Sequence, residues 1–382
     1  MKTIIANGIV LSPDEEIHGR QVVIEDGRIV RMAAVEPAEA GVNQIDAQGS
    51  FVIPGLIDIH VHGANSFDTM DATPDAIQGM GRFLASHGVT SYLPTTVSAS
   101  QDALMAAIEN AGRTPFPVDG AQHLGIHLEG PYLNSSYAGA QPVQHLRRAA
   151  REEYERWITS GQVRLITVAP EVEGVPALLD AGTEAAIEFA IGHSAATYEQ
   201  VLLAIEHGLR QVTHVFNGMP PMHHRSPGVL GAALSEERLN CQIIADGIHV
   251  HPAVVKLLVR SKGVGRTILV TDAISATGLP DGAYSLGDQR VHVAAGAPRT
   301  EAGGLAGSTL TMDQALRNVM QFANLSLSAA LPMATRVPAA AMGWQGRKGI
   351  IAPNADADLV IMDDRFQVRL TMVAGRVVFE TP

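Results

Sequence analysis

Between residues 51 and 350, short apolar runs alternate with helix-compatible stretches, and this rhythm restricts the chain to few architectures. The apolar runs fall at 56–60, 89–94, 123–128, 163–168, 187–191, 211–215, 241–245 and 266–271. The helix-compatible stretches are 74–87, 101–112, 144–161, 175–184, 196–207, 252–261, 311–325 and 329–342. Runs this brief read as buried strands rather than helices. Eight strand candidates in βα order fit a closed (β/α)8 barrel of the TIM type better than an open doubly wound sheet. No glycine-rich dinucleotide fingerprint follows the first strand, which further disfavours the open sheet. Residues 282–309 break the rhythm and are expected to form a hairpin or loop over the barrel mouth.

The two ends have a different texture. Residues 1–50 and 356–379 consist of short β-like runs, with turns at Asn7-Gly8, Asp26-Gly27 and Gly375. Neither end is long enough to build a comfortable sandwich alone. The expectation is therefore a small β-sandwich domain made from 1–53 with 351–382, and a hydrolase barrel over 54–350 whose site lies at the C-terminal strand ends.

Composition acts as a filter. The formal charge of -12 argues against nucleic acid as a partner. A single cysteine, Cys241, rules out an intrachain disulfide and a thiolate metal cluster, and suits a reducing cytoplasm. The opening MKTIIANGIVL lacks the apolar run and cleavage pattern of a signal peptide, and nowhere do 18 apolar residues run together. A cytoplasmic protein without a membrane partner is expected.

Polar residues end the apolar runs one after another. In FVIPGLIDIHVHG (51–63), Pro54-Gly55 restarts the chain as a strand. Residues i and i+2 of a strand point the same way, so His60 and His62 stand side by side at its end. Later runs end on His127 and Glu129, His193, His214 and Asn217, Asp246 with His249 and His251, and Asp272. In a barrel these ends face one mouth. Imidazoles with a carboxylate suit a divalent ion, zinc first, with iron, manganese or cobalt as alternatives, and the lack of thiolates argues against a purely structural zinc. Glu129, His193 and His214 group naturally around one ion with a position open for water. His60 and His62 are candidates for a second ion bridged by Glu129, giving one or two per chain. Asp272 is the candidate to take a proton from water and hand it to a leaving nitrogen. His127 reads equally as a support to this site or as a core histidine.

The segment 214–231, HVFNGMPPMHHRSPGVLG, reads as a loop. Its Gly218 lets the backbone approach a ligand closely. Its Arg225 is a candidate anion clamp, because guanidinium presents a fork of donors matched to phosphate, and His249 would complete it. His223, His224 and His251 read as solvated surface residues. Asn217 and Gln141 suit sugar hydroxyls or an amide. In GSTLTM (307–312), Ser308 and Thr309 are expected to cap a helix, with Thr309 or Leu310 as candidate pocket lining.

The phrases PGLIDIHVHG, HLEGPYLN, GHSAAT, THVFNGMPPMHHRSPG, ADGIHVHP, VTDAISATG and GLAGSTLTM together resemble the N-acetylglucosamine-6-phosphate deacetylases of the amidohydrolase superfamily. The resemblance spans nearly the whole chain. It implies a cytosolic homodimer that hydrolyses the N-acetyl group of N-acetyl-D-glucosamine 6-phosphate to glucosamine 6-phosphate and acetate, in amino-sugar and cell-wall recycling. It implies metal ligands at Glu129, His193 and His214, a general base and acid at Asp272, and a second metal where the His60–His62 pair is kept. Substrate contacts would fall on Asn217, Gly218, His249 and the backbone at Ala140, with Arg225 reaching across the dimer. The chain departs from some members at Gln141, where they place a histidine, which leaves the sugar epimer open. An N-acetylgalactosamine-6-phosphate deacetylase and a cyclic-amide hydrolase stay as alternatives. No lysine in these motifs matches the superfamily's carboxylated bridge, and Glu129 takes its place.

Overall fold

A computed structural model describes residues 2–12, 15–34 and 41–381. The sandwich expected of 1–53 and 351–382 thus falls partly on residues 1, 13–14, 35–40 and 382, which lie outside the described residues.

Eight parallel strands run in chain order around a barrel: β1 (Leu56–Val61), β2 (Val89–Thr96), β3 (Ile126–Glu129), β4 (Val163–Val168), β5 (Glu188–Ile191), β6 (Leu209–Val212), β7 (Asn240–Ile243) and β8 (Thr267–Leu269). Closure between the first and last strands comes just beyond β8. There Val61 pairs with Ala273, Asp272 N–H donates to His60 O at 2.9 Å, and His62 N–H donates to Ala273 O at 2.8 Å. Both faces of β1 are buried, as parallel strands covered by helices require. The polar side chains of Asp58, His127, Thr167, Gln211, Thr213 and Gln242 are nevertheless fully buried. Several pair across strands, as in the Thr167 Oγ1 to Thr213 Oγ1 contact of 2.7 Å and the Gln242 Nε2 donation to Gln211 Oε1 at 3.1 Å, and Asp58 Oδ2 accepts from Thr271 Oγ1 at 2.6 Å.

The expected helices form, with three corrections: the stretch 144–161 is a helix only over Arg151–Ser160, behind a separate turn at Val143–His145. The loop expected over 214–231 ends early, because Gly228–Ser235 forms a helix after β6 and buries Val229, Leu230, Ala232 and Ala233. Its glycines weaken local propensity, but an apolar face against the barrel outweighs that cost. The stretch 329–342 is not one helix but three short turns, Leu327–Ala330, Leu331–Ala334 and Arg336–Ala341. Pro332 and Pro338 each remove a backbone donor and break the helical run.

Two further sheets use both ends of the chain. A four-stranded sheet contains Lys2–Ala6, Arg20–Glu25, Arg28–Ala34 and Asn43–Asp46; a six-stranded sheet joins Ile9–Ser12, Glu15–Ile17 and Phe51–Pro54 to Leu359–Met362, Val368–Val373 and Arg376–Glu380. Strand alternation sorts the side chains of the larger sheet. Val52, Leu359 and Ile361 face the apolar layer shared with Ile5, Val22 and Ile24, whereas Ile53, Val360 and Met362 join the barrel core. Residues 282–309 contain a three-stranded antiparallel sheet, Gly282–Leu286, Gln289–Ala294 and Ala297–Thr300. Among the described residues no helix is long and apolar enough to cross a membrane.

Candidate active site

Strand ends bring the side chains together. At the C-terminal mouth of the barrel, a cavity of about 180 Å³ is lined by His62, Glu129, His193, His214, His249 and Asp272, with Ala140, Gln141, Asn217 and Gly218 on its wall. His60 lies fully buried beneath it. Among the described residues two sets of three have ligand atoms that converge, His60 with His62 and Glu129, and His193 with His214 and Glu129. Glu129 belongs to both. Its Oε1 stands 2.9 Å from His214 Nε2 and 3.1 Å from His193 Nε2, and its Oε2 stands 3.3 Å from His62 Nε2. Asp272 Oδ1 is 3.1 Å from His62 Nε2 and 3.3 Å from His60 Nε2.

The backbone turns sharply to aim these groups. His193, His214 and Asp272 have φ of 49°, 27° and 52°. Side chains rarely occupy this left-handed region, and residues held there gather at functional sites. Asp272 is pinned on both sides by backbone pairing, to His60 as above and through Ser308 N–H, which donates to Asp272 O at 2.7 Å. Ser308 and Thr309 are thus not helix caps, as the sequence suggested. The following helix, Met312–Ala323, starts from Thr311, and the hydroxyls of Ser308 and Thr309 donate to Thr271 O and Gly296 O.

The donor set fits a divalent cation. His62 Nδ1 faces Thr95 O at 3.1 Å and His193 Nδ1 faces Tyr137 O at 2.9 Å. A carbonyl only accepts, so both Nδ1 atoms carry a proton; Nε2 then donates to the facing carboxylates, and would turn a bare lone pair inward once a cation took the place of that proton. Fixing a ring through its outer nitrogen is how proteins orient metal-ligating imidazoles. Two pairs of Nε2 atoms face each other, His60 with His62 at 3.2 Å and His193 with His214 at 3.1 Å, an arrangement that a shared cation relieves. The electrostatics agree. Burial alone would raise Glu129, but the facing imidazoles of His60, His193, His214 and His62 hold it well below the usual carboxylate range, with the hydrogen bonds from the last three carrying the effect because burial lowers His60 itself to about 4. Burial disfavours charge on His62, yet Asp272 and Glu129 override it and push its pKa up to about 10. Two buried carboxylates demand positive charge here, from a proton or from an ion.

The remaining candidates divide. Asn217 bonds His214 O through Nδ2 at 3.2 Å, and Gly218 packs so close to His193 that a Cβ would meet Nδ1 at 2.8 Å. His249 is held by Asp246, with Nδ1 2.7 Å from Oδ2. Arg225 is exposed on its loop, outside the cavity wall, with Nη1 2.8 Å from His224 Nε2. Leu310 is buried in the barrel core and is absent from the wall. His127 lies below the site, its Nδ1 3.1 Å from Ile59 O and its Nε2 2.8 Å from Thr167 Oγ1, and burial keeps its pKa well below normal. His251 is not free decoration, because its ring accepts from Ala253 N–H at the start of helix Pro252–Lys262. Gly139, Leu286, Leu305 and Gly307 complete the wall and escaped the sequence reading; the last three come from the segment without βα rhythm. Its expected position over the mouth was the available signal.

Comparison with known proteins agrees with this geometry. Residues 51–378 match the amidohydrolase family. An N-acetylglucosamine-6-phosphate deacetylase of Lysinibacillus sphaericus is 38% identical, covering 100% of this chain and 99% of its own. An N-acetylgalactosamine-6-phosphate deacetylase of Escherichia coli O157:H7 is 37% identical over 96% of this chain and 97% of its own. Among solved structures, a mutant N-acetyl-D-glucosamine-6-phosphate deacetylase of Mycobacterium smegmatis in complex with N-acetyl-D-glucosamine 6-phosphate superposes with a TM-score of 0.91 at 33% identity, covering 99% of both chains.

Proposed function

The chain belongs to the amidohydrolase family, among its N-acetylglucosamine-6-phosphate deacetylases, and from that membership we propose that it hydrolyses N-acetyl-D-glucosamine 6-phosphate to D-glucosamine 6-phosphate and acetate. The observation that carries this reading is the convergence of four imidazoles on Glu129 beside Asp272, inside a cavity at the barrel mouth.

Glu129, His193 and His214 are the residues that would hold the catalytic divalent ion, with His60 and His62 for a second. An ion there lowers the pKa of a water to near neutral and polarises a carbonyl. Asp272 takes the proton of the attacking water and returns it to the nitrogen as the amide C–N bond breaks, so acetate and a free amine leave. Asn217, Gly218 and the wall at Ala140 and Gln141 orient the sugar. Leu310 acts only from behind that wall. His249, held by Asp246, faces the phosphate end. Arg225, exposed on its loop, supplies the guanidinium fork to the site of a neighbouring subunit in a homodimer. The imidazole and carboxylate donor set supports zinc, with iron, manganese or cobalt able to serve. The lone buried Cys241 supports a cytoplasmic setting, in amino-sugar and cell-wall recycling. The division into 1–53 with 351–382 and a barrel over 54–350 belongs to the same reading.

A second reading is the galacto epimer of the substrate, which Gln141 leaves open. Proton NMR of a reaction mixture tests both. Acetate methyl and free amino sugar should rise one to one with the gluco compound in preference to the galacto compound. The reverse preference would assign the epimer, and no acetate from either would reject the function.

A further inference from the structure

Gln141 lies on the cavity wall but is buried, between Glu129 and the loop after β2. Its Oε1 accepts from Ser98 N–H at 2.7 Å, and its Nε2 donates to Glu129 Oε2 at 2.6 Å. The amide cannot turn over, because its NH2 would then face the Ser98 N–H and its oxygen would face a carboxylate. Among the described residues it is the one donor to the Glu129 carboxylate that is not an imidazole. The carboxylate is consequently held with its two oxygens divided. Oε1 faces His193 and His214, while Oε2 faces His62 and the amide.

We propose that Gln141 is a positioning residue which holds Glu129 in this divided orientation and thereby sets the affinity of the His60–His62 position for a second divalent ion. This rests on the metal-centre reading above. The final torsion of a glutamate is broad and poorly self-determined. Without the amide, the carboxylate can turn both oxygens toward His193 and His214, and the His60–His62 pair loses its third donor. Partners that orient a metal ligand are worth 10–100-fold in affinity, and here the loss should fall on one ion alone.

The test needs no substrate. Full-length protein stripped of metal is dialysed against chelator-buffered Zn²⁺, and bound zinc per chain is measured by mass spectrometry. The probes are Gln141→Met, which removes the amide at similar length, and Gln141→Asn, which keeps an amide but withdraws its reach. Thermal melting of the metal-free forms reads any cost to folding. Wild type should take up two ions of unequal affinity; both variants should weaken the looser ion by about 10–100-fold and the tighter by less than about threefold, while metal-free melting should fall only modestly, through the Ser98 N–H left without its acceptor. Equal weakening of both ions, no weakening, or uptake of a single ion by wild type at saturation would overturn the proposal. None of those results bears on acetate release, which judges the deacetylase reading separately.

Discussion

Asp272→Asn separates proton handling from metal holding. Asparagine enters the left-handed region more readily than most side chains, so the φ of 52° is tolerated. The pairing of Asp272 N–H with His60 O, and of Ser308 N–H with Asp272 O, does not involve the side chain. The substitution therefore preserves shape and backbone while removing the charge and the basic oxygen. Asp272→Ala would be less clean, adding roughly 1–2 kcal/mol of backbone strain. The side chain's contacts fall on His60 and His62, so the Glu129, His193 and His214 set stays intact. General acid–base catalysis is worth about 10²–10⁴ in rate, or roughly 3–5 kcal/mol of barrier. Steady-state acetate release should show kcat reduced by that factor, with the tighter ion retained by mass spectrometry. Turnover within tenfold of wild type at full metal content would refute the proton role. Loss of the tighter ion would reassign Asp272 to metal binding.

Other perturbations probe separate parts. Arg225→Ala should raise KM for the phosphorylated sugar about 10–100-fold, the worth of a charged hydrogen bond, and leave the unphosphorylated sugar unaffected; an equal change on both would remove the anion role. Gly218→Ala places a methyl 2.8 Å from His193 Nδ1 at a φ of 62°, so the ring must leave Tyr137 O. Metal affinity should fall about 10–100-fold by chelator competition, and unchanged affinity would mean that the ring orientation does not matter. Asp313 reports on the scaffold. Burial would raise its carboxyl, but His87 and Arg317 hold it down to about 2. Because the folded value is depressed, this contribution of about 2 kcal/mol is present above about pH 4 and is lost as pH falls toward 2. Denaturant unfolding of Asp313→Asn should show a shallower acid decline than wild type, and identical slopes would refute the assignment.

The barrel was legible because strand and helix periods differ and eight short runs left little choice. Most of the polar cluster was legible for a related reason: in a parallel barrel, each residue ending a strand points at the same mouth, so His60, Glu129, His193 and Asp272 can be grouped without knowing a distance. What was not legible depends on contacts across the chain. Gly228 and Gly231 masked a helix whose stability comes from packing on the barrel. The hold of Gln141 on Glu129 was hidden, since nothing in its own neighbourhood tells that Ser98 N–H fixes its amide toward that carboxylate. Leu286 reaches the cavity from a small sheet with no barrel rhythm, and Leu305 from a single bridge to Arg299 at that sheet's edge. Leu310 sits one step too deep, turned into the core by the turn in which Ser308 Oγ accepts from its N–H.

The central claim is that a metal-loaded cluster around Glu129 cleaves the N-acetyl group of a phosphorylated amino sugar. Acetate release from N-acetyl-D-glucosamine 6-phosphate and from the unphosphorylated sugar, by chelator-stripped protein reloaded with measured amounts of Zn²⁺, tests it directly. Activity should be absent without metal, rise in step with the first ion bound, and strongly favour the phosphorylated sugar. Full activity in the stripped protein, or equal rates on both sugars, would contradict the account.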